Sequence, residues 1–81
     1  GSMELLARSM DAADTKSAFR AVHTLKGVAL NLGLTALAGV CAEMTEALRG
    51  SDTLPASAPA LLDTVQREYD KVTGALAQLT A

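Results

Sequence analysis

The chain has 81 residues, which is enough for one compact domain and too few for two. It contains one Tyr, one Phe and no Trp, so its core must come from Leu, Val, Ala and Met, a set that suits packed helices better than a β-sandwich. The formal net charge of −2 without a basic stripe argues against a nucleic-acid partner, and no apolar run reaches the roughly 18 residues that suggest a membrane span.

The single cysteine and the N-terminal residues bear on where the protein is located and where its domain begins. Cys41 has no second cysteine to pair with, and no secretory signal is visible, so we expect a reducing, cytoplasmic location without membrane contact. Gly1 and Ser2 are interpreted as the remnant of a purification tag, which leaves 3–81 as one predicted domain. The sequence shows neither a Cys/His cluster nor a Gly-rich nucleotide loop, so we expect the chain to bind no metal and no cofactor of its own.

Two helices are predicted in the N-terminal half. Residues 3–12 hold good helix formers and predict a short first helix of two to three turns. Asp14 or Thr15 is expected to cap a second helix over 15–31. That helix ends at Asn31-Leu32-Gly33, because glycine accepts the left-handed backbone that closes a helix. The predicted buried positions share helical spacing: Met3, Leu6 and Met10 in the first helix; Ala18, Val22, Leu25, Ala29 and Leu32 in the second.

Two further helices are predicted after a short connection. The third covers about 34–49, and the segment 54–59 with both prolines is a loop. The fourth covers about 58–79, with Ser57 as its expected cap. The predicted buried positions are Leu34, Leu37, Cys41, Met44 and Leu48 in the third helix, and Leu62, Val65, Tyr69, Val72, Leu76 and Leu79 in the fourth. We therefore expect an all-α, up-and-down antiparallel bundle of four helices with a short first helix.

The one histidine lies in the middle of the second predicted helix. Lys26 and Gly27 follow His23 at i+3 and i+4 and so share its surface, with Phe19 and Leu30 bordering the patch. Imidazole is a nitrogen nucleophile that is largely neutral near pH 7, and a lysine can hold phosphoryl oxygens. A mid-helix glycine costs about 1 kcal/mol against Ala, and room for another surface to approach would explain it.

Each of these residues alone also has a plainer interpretation. A single histidine on a small helical protein is often a solvated surface residue, and Gly27 can equally mark tight packing between helices. Cys41 fits a small core position, and Glu43, Glu46 and Arg49 fit a solvated face that could also help to select a partner. The joint pattern around His23 favours phosphoryl chemistry.

That joint pattern resembles the histidine-containing phosphotransfer (HPt) domain family. The family signature, His-x-x-Lys-Gly on a helix, stands here as His23-Thr24-Leu25-Lys26-Gly27, and the Asn-Leu-Gly extension stands as Asn31-Leu32-Gly33. The resemblance implies that His23 is the phosphoacceptor, that Lys26 stabilises the phosphoryl group and that Gly27 gives a docking partner room. It also implies a docking surface that includes Phe19 and Leu30.

The resemblance further implies the partners and the chemistry. They are response-regulator receiver domains and a hybrid sensor histidine kinase, with the acidic pocket, the Mg²⁺ and the aspartate all on the receiver. A phosphoryl group would pass from one receiver aspartate to His23 and on to another response regulator. Histidine-kinase dimerisation domains carry an acidic residue where this chain has Thr24, and the chain has no ATP-binding segment, so we expect no autonomous kinase activity.

Alternatives remain at this stage. The phosphoacceptor domain of chemotaxis-type histidine kinases also uses His-x-x-Lys-Gly, although its sequence after the glycine usually differs from 28–33 of this chain. A structural or adaptor bundle with an inert His23 is the rival from another class.

Family members usually have a full-length helix before the histidine helix, whereas this chain offers about ten residues there. Either preceding residues are missing, or a second copy completes the bundle, which predicts a homodimer.

Overall fold

The computed structural model describes residues 1–80, with side chains for 1–75. Four α-helices follow one another: α1 (Ser2–Asp11), α2 (Thr15–Asn31), α3 (Thr35–Leu48) and α4 (Ala58–Thr80). The described residues form no strand. The all-α prediction is therefore confirmed, and each predicted helix boundary lies within one residue of the observed one.

The turn between α2 and α3 ends the helix that carries His23. Gly33 adopts a φ of +72°, in the left-handed region. Its N–H donates to the Leu30 carbonyl at 3.2 Å, and the Leu34 N–H donates to the Ala29 carbonyl at 2.8 Å. These two bonds satisfy carbonyls that the helix end would leave unpaired. The predicted stop is confirmed, and the short connection makes α3 run back along α2.

The core lies mainly between the first three helices. Its buried apolar side chains are Met3, Leu6, Ala18, Ala21, Val22, Leu25, Ala29, Leu37, Ala38, Cys41, Met44 and Leu48, with Ala58 and Val65 from α4. The prediction for Leu32 is wrong: this residue follows the last residue of α2 in the turn and is 66% exposed. Met10, Leu34, Leu62, Tyr69 and Val72 are only half-buried. The side chains of Leu76 and Leu79 lie outside the described residues.

Three residues with hydroxyl groups are also buried, which the apolar spacing did not predict: Ser9, Thr15 and Thr45. The Thr15 hydroxyl forms no hydrogen bond with a described residue. Ser9 is 5% exposed and Thr45 is fully buried. Each of these two hydroxyls donates to the carbonyl one turn earlier, Ser9 to Leu5 and Thr45 to Cys41, both at 2.7 Å. Because these bonds lie within one helix, the two hydroxyls need no polar partner elsewhere in the core.

The helices differ in how much support they receive. α2 packs against both α1 and α3, whereas α4 packs chiefly on α3 and touches α1 at few positions. Gly1 and Met3 lie beside Gln66 and Tyr69, so the part of α4 beyond Tyr69 extends past the start of α1. Within the described part of the chain, no helix is long and apolar enough to cross a membrane. This arrangement leaves one face of α2 directed outward.

Candidate functional site

The start of α2 is fixed by a side-chain cap. Asp14 precedes the helix, and its carboxylate accepts from the Ser17 backbone N–H at 3.2 Å and from the Ser17 hydroxyl at 2.8 Å. These bonds to Ser17, with smaller contributions from Arg20 and Lys16, hold the pKa of Asp14 below its usual value of 3.8. Of the two predicted caps, Asp14 is therefore the correct one. Thr15 is instead the first helical residue and is buried.

His23 lies midway along α2 and is exposed. Its neighbours Val22 and Leu25 are buried, 0% and 4% exposed, and face α1 and α3. Since helical residues turn by about 100° each, burial of these two positions directs His23 away from the core. The imidazole is thus available to a reactant from outside the bundle.

Lys26 and Gly27 lie one turn further along α2, on the face of His23. Lys26 is partly buried and forms no ion pair with a described residue. Gly27 is exposed, and a Cβ added there would meet no heavy atom within 4 Å. Tight packing between helices therefore does not explain this glycine. The surface beside His23 is open.

Phe19 and Leu30 differ in their surroundings. The Phe19 ring is half-buried and nearly parallel to the His23 ring, with centroids 6.0 Å apart and 8° between planes. The Leu30 side chain, one turn beyond Lys26, is 59% exposed. The structure therefore brings Phe19 into direct contact with the histidine and leaves Leu30 as an apolar group facing solvent.

Arg49 contacts Phe19, which the sequence did not predict, since it placed Arg49 only on a solvated face that could help to select a partner. Its guanidinium carbon lies 5.6 Å from the centroid of the Phe19 ring. The Arg49 side chain is itself held by Glu46, with Nη2 3.1 Å from Oε1. The sequence holds no local signal for the contact between Arg49 and Phe19, because Phe19 lies on α2 and Arg49 follows the end of α3.

The charges on α2 all have one sign. The helix carries Lys16, Arg20 and Lys26 and no acidic residue. None of the three forms an ion pair with another described residue. Lys16 and Arg20 precede His23 by seven and three positions, so they share its side of the helix. The outward face of α2 therefore attracts negatively charged groups.

A groove of about 340 Å³ opens next to Phe19, between the first turns of α2 and the end of α3. It is lined by Thr15, Lys16, Phe19, Arg20, Leu48, Gly50, Ser51 and Asp52. His23 does not line this groove. The histidine is exposed on the surface of α2 outside this groove, which suits a macromolecular partner better than an enclosed small molecule.

Comparison with protein families identifies the family of the chain. The family model described as "Hpt domain" matches residues 2–80. The chain belongs to the Hpt domain family. Hpt domains perform histidine phosphotransfer in phosphorelays, and they interact with receiver domains and kinases of two-component systems. Comparison with curated proteins and with solved structures gave no match.

Family membership covers the whole set of four helices. The match begins at Ser2, which is also the first residue of α1, and Gly1 accepts the first helical bond from the Leu5 N–H at 3.1 Å. Gly1 and Ser2, which were interpreted as a tag remnant, are the N-cap and the first residue of α1. This Hpt domain presents one histidine, His23, and that histidine lies on its most basic helix.

Proposed function

We propose that His23 is the phosphoacceptor of this Hpt domain, taking a phosphoryl group from a receiver-domain aspartate and passing it to another response regulator. One observation carries the proposal: His23 is exposed in mid-α2 beside a lysine and an open glycine position. Of the residue types that form covalent phosphoryl intermediates, imidazole suits repeated transfer because it is a nucleophile near neutral pH.

The two reactants of the transfer step are His23 and a charged receiver, meaning a receiver domain that is phosphorylated on its aspartate. The unprotonated ring nitrogen of His23 attacks phosphorus, and an N–P bond forms. The P–O bond to the aspartyl oxygen breaks, and the carboxylate leaves with its electron pair. In the onward step the carboxylate of a second receiver attacks the same phosphorus, the N–P bond breaks and the imidazole is restored. Each step exchanges one bond to phosphorus for another, so the same two steps run in reverse carry the phosphoryl group in the opposite direction.

Lys26 is proposed to hold the phosphoryl oxygens. It lies at i+3 from His23 and has no carboxylate partner among the described residues, so its ammonium group is free to bind an incoming anion. Its partial burial reduces competition from water. The Mg²⁺ of the reaction is proposed to sit on the receiver, as the family resemblance implies, where it would neutralise charge on the transferred group.

The receiver is proposed to dock on the outward face of α2. Gly27 leaves room for its surface, and Leu30 offers an apolar contact at the edge. The unpaired cations Lys16 and Arg20 complement an acidic receiver pocket and favour rapid association. A hybrid sensor histidine kinase is the proposed source of the charged receiver, and we place the whole relay in the cytoplasm.

Replacement of His23 tests the phosphoacceptor assignment. Wild type and His23→Gln would be incubated with a receiver domain charged by acetyl phosphate, and radiolabel on each chain would be measured. Wild type should gain label and His23→Gln none, because glutamine lacks a nucleophilic ring nitrogen. The matched control is Arg67→Gln, an exposed residue on α4, which should accept label like wild type.

The same experiment distinguishes phosphotransfer on His23 from the alternative of a structural or adaptor bundle. A purely structural bundle would leave both wild type and His23→Gln unlabelled, and label on both in equal amount would move the phosphoacceptor elsewhere. Thermal melts of both proteins belong to the experiment, since an exposed surface substitution should change stability by less than about 0.5 kcal/mol.

A separate experiment tests whether the chain is the phosphoacceptor domain of a chemotaxis-type kinase. Wild type would be incubated with a chemotaxis-type kinase catalytic domain and ATP, without any receiver, and label in this mixture would support that alternative.

A homodimer also stays a prediction. Leu5 and Val28 are each about half exposed, 49% and 46%, and Leu32 is 66% exposed. α4 also extends past the start of α1, as described above. A second copy that covers these apolar groups would remove them from water. Light scattering across micromolar to millimolar concentrations should show a dimer, and a monomer throughout would contradict the prediction.

A further inference from the structure

Two ring contacts of Phe19 link the histidine on α2 to Arg49, the residue that follows the last residue of α3. The His23 and Phe19 rings lie nearly parallel, 8° apart, with centroids separated by 6.0 Å. The Arg49 guanidinium follows, 5.6 Å from the Phe19 centroid. Glu46 holds that guanidinium with bonds to its Nε at 3.3 Å and to its Nη2 at 3.1 Å. We call this arrangement the Arg49–Phe19–His23 column.

We infer that Phe19 is a positioning residue for phosphoryl transfer and that Arg49 holds Phe19 in place, an inference that rests on the proposed function of His23. The attacking lone pair lies in the plane of the imidazole ring. A docked receiver holds its phosphorus at one point relative to the α2 backbone. The ring plane of His23 therefore decides whether the lone pair aims at phosphorus, and orientation of this kind contributes strongly to transfer rates.

The helix backbone alone does not fix that plane. An exposed histidine on a helix can use two χ1 rotamers, and its χ2 torsion is broad. A parallel aromatic neighbour at i−4 favours the single orientation in which the two rings stack. A stack of this type changes the population of the aligned ring by about three- to fivefold. Phe19 thus acts through His23 and touches no reacting atom.

Phe19 in turn needs support, because it is only half-buried and one side of it borders the open groove. Arg49 supplies that support from the end of α3. A planar guanidinium stacks well on an aromatic face, and the hydrogen bonds that it donates to the Glu46 carboxylate keep it from turning away. The exposed ion pair adds little stability on its own. Its effect is on the direction in which Phe19, and so His23, points.

The test separates positioning from docking by kinetics. Phosphotransfer from a charged receiver would be followed over a range of receiver concentrations for wild type, Phe19→Leu and Phe19→Tyr. Phe19→Leu removes the ring and keeps an apolar side chain, so the saturating rate should fall by about three- to fivefold while the half-saturating concentration stays the same. Phe19→Tyr keeps the ring and should restore the rate. Val28→Ala, an exposed apolar truncation elsewhere on α2, should behave like wild type.

Two further measurements test the column itself. Arg49→Gln should lower the saturating rate by about twofold, and Phe19→Leu combined with Arg49→Gln should be no slower than Phe19→Leu alone, because Arg49 acts only through the ring. In NMR spectra, the ring protons of His23 should show a ring-current shift in wild type and Phe19→Tyr that is lost in Phe19→Leu. This shift does not depend on any transfer reaction.

Each alternative outcome is distinct. A raised half-saturating concentration with an unchanged saturating rate in Phe19→Leu would make Phe19 a docking residue only and overturn the inference. An additive loss in the double variant would separate Arg49 from the column. If His23→Gln accepted as much label as wild type, the proposed function itself would fail, and the ring-current shift would still decide whether Phe19 orients His23.

Discussion

The two faces of α2 are built from different residues and serve different purposes. The inward face is small and apolar, and its members are at most 4% exposed: Ala18, Ala21, Val22, Leu25 and Ala29. The outward face carries His23 and Gly27, both exposed, and the three cations of the helix. Burial between α1 and α3 fixes the helix, and this leaves the opposite face free to hold residues that add nothing to stability.

This contrast gives a rule for substitutions. Changes on the inward face should alter the free energy of unfolding and leave the phosphotransfer of the folded protein intact. Changes on the outward face should alter phosphotransfer with little effect on unfolding. A residue that violates the rule would show that the two faces are coupled.

The largest expected effect is on stability, at Leu25. Leu25→Ala removes a buried side chain between helices and should lower the free energy of unfolding by about 3 kcal/mol, a large part of what a domain of this size has. Urea denaturation followed by circular dichroism measures it. The matched variant is Leu30→Ala, the same deletion on the outward face at a position 59% exposed, which should cost less than about 0.5 kcal/mol.

For phosphotransfer the order is reversed: Leu30→Ala should have the larger effect and Leu25→Ala the smaller one. Folded Leu25→Ala should accept label from a charged receiver at the wild-type rate, and Leu30→Ala should need more receiver to reach half of the saturating rate. Equal unfolding free energies for the two variants would contradict the contrast between the faces.

The second prediction concerns the open position beside His23. Gly27→Gln should lower the efficiency of transfer from a charged receiver by about tenfold or more, because a longer side chain displaces the docked surface. A Cβ at Gly27 meets nothing within 4 Å, so the domain itself should tolerate the change and gain about 0.5 kcal/mol from better helix propensity.

Gly39 is the matched control for Gly27. It lies in α3, is exposed, and also has nothing within 4 Å of an added Cβ. Gly39→Gln should raise stability by a similar amount and leave transfer unchanged. Normal transfer in Gly27→Gln would mean that this glycine has a purpose other than clearance.

The sequence predicted the inward face better than the outward one, for a physical reason. Helical spacing follows from local geometry, so all four helices and the glycine turn at Gly33 were predicted correctly. Leu32 was misplaced because the spacing continued into the turn, where the helix no longer directs side chains inward. The stacking of Arg49 on Phe19 depends on how α3 lies against α2, and no local pattern contains that information.

The site was predictable only as far as its residues share one helix. His23, Lys26 and Gly27 follow one another at fixed offsets, so their common surface follows from the helix alone. The contact of Arg49 with Phe19 depends instead on how the end of α3 lies against α2. Sequence spacing along one helix thus predicts which side chains share a surface, whereas contacts from outside that helix depend on how the helices pack.

The third prediction tests whether Lys26 acts locally. Lys26→Ala should shorten the lifetime of phosphorylated His23 about three- to tenfold, since a charge-assisted bond to the phosphoryl group is lost. Lys16→Ala removes the same charge two turns away on the same side of α2 and should leave the lifetime unchanged. Lifetimes are measured on purified phosphorylated protein without a receiver, so that docking has no influence. Equal shortening in both variants would indicate a general effect of positive charge.

The smallest expected effect lies at Asp14, where both faces of α2 begin. Its bonds to Ser17 lower the pKa of the carboxyl in the folded protein below 3.8, so its contribution to folding is fully present above that value and is lost as pH falls through the folded pKa. Asp14→Ala should therefore lower the melting temperature at pH 7, and the deficit should shrink as the pH is lowered below 3.8.

Asp52→Ala is the control for that titration, because Asp52 is exposed in the loop after α3 and caps no helix. The melting temperature of Asp52→Ala should equal that of wild type both at pH 7 and below pH 3.8. At pH 7 the folded Asp14→Ala should still accept label on His23 at the wild-type rate, since the buried inward face holds the middle of α2 whether or not its first turn is capped. A loss of transfer without a loss of stability in Asp14→Ala would show that the first turn of α2 takes part in docking, and the boundary between the two faces would then have to be drawn closer to the N-terminus of the helix.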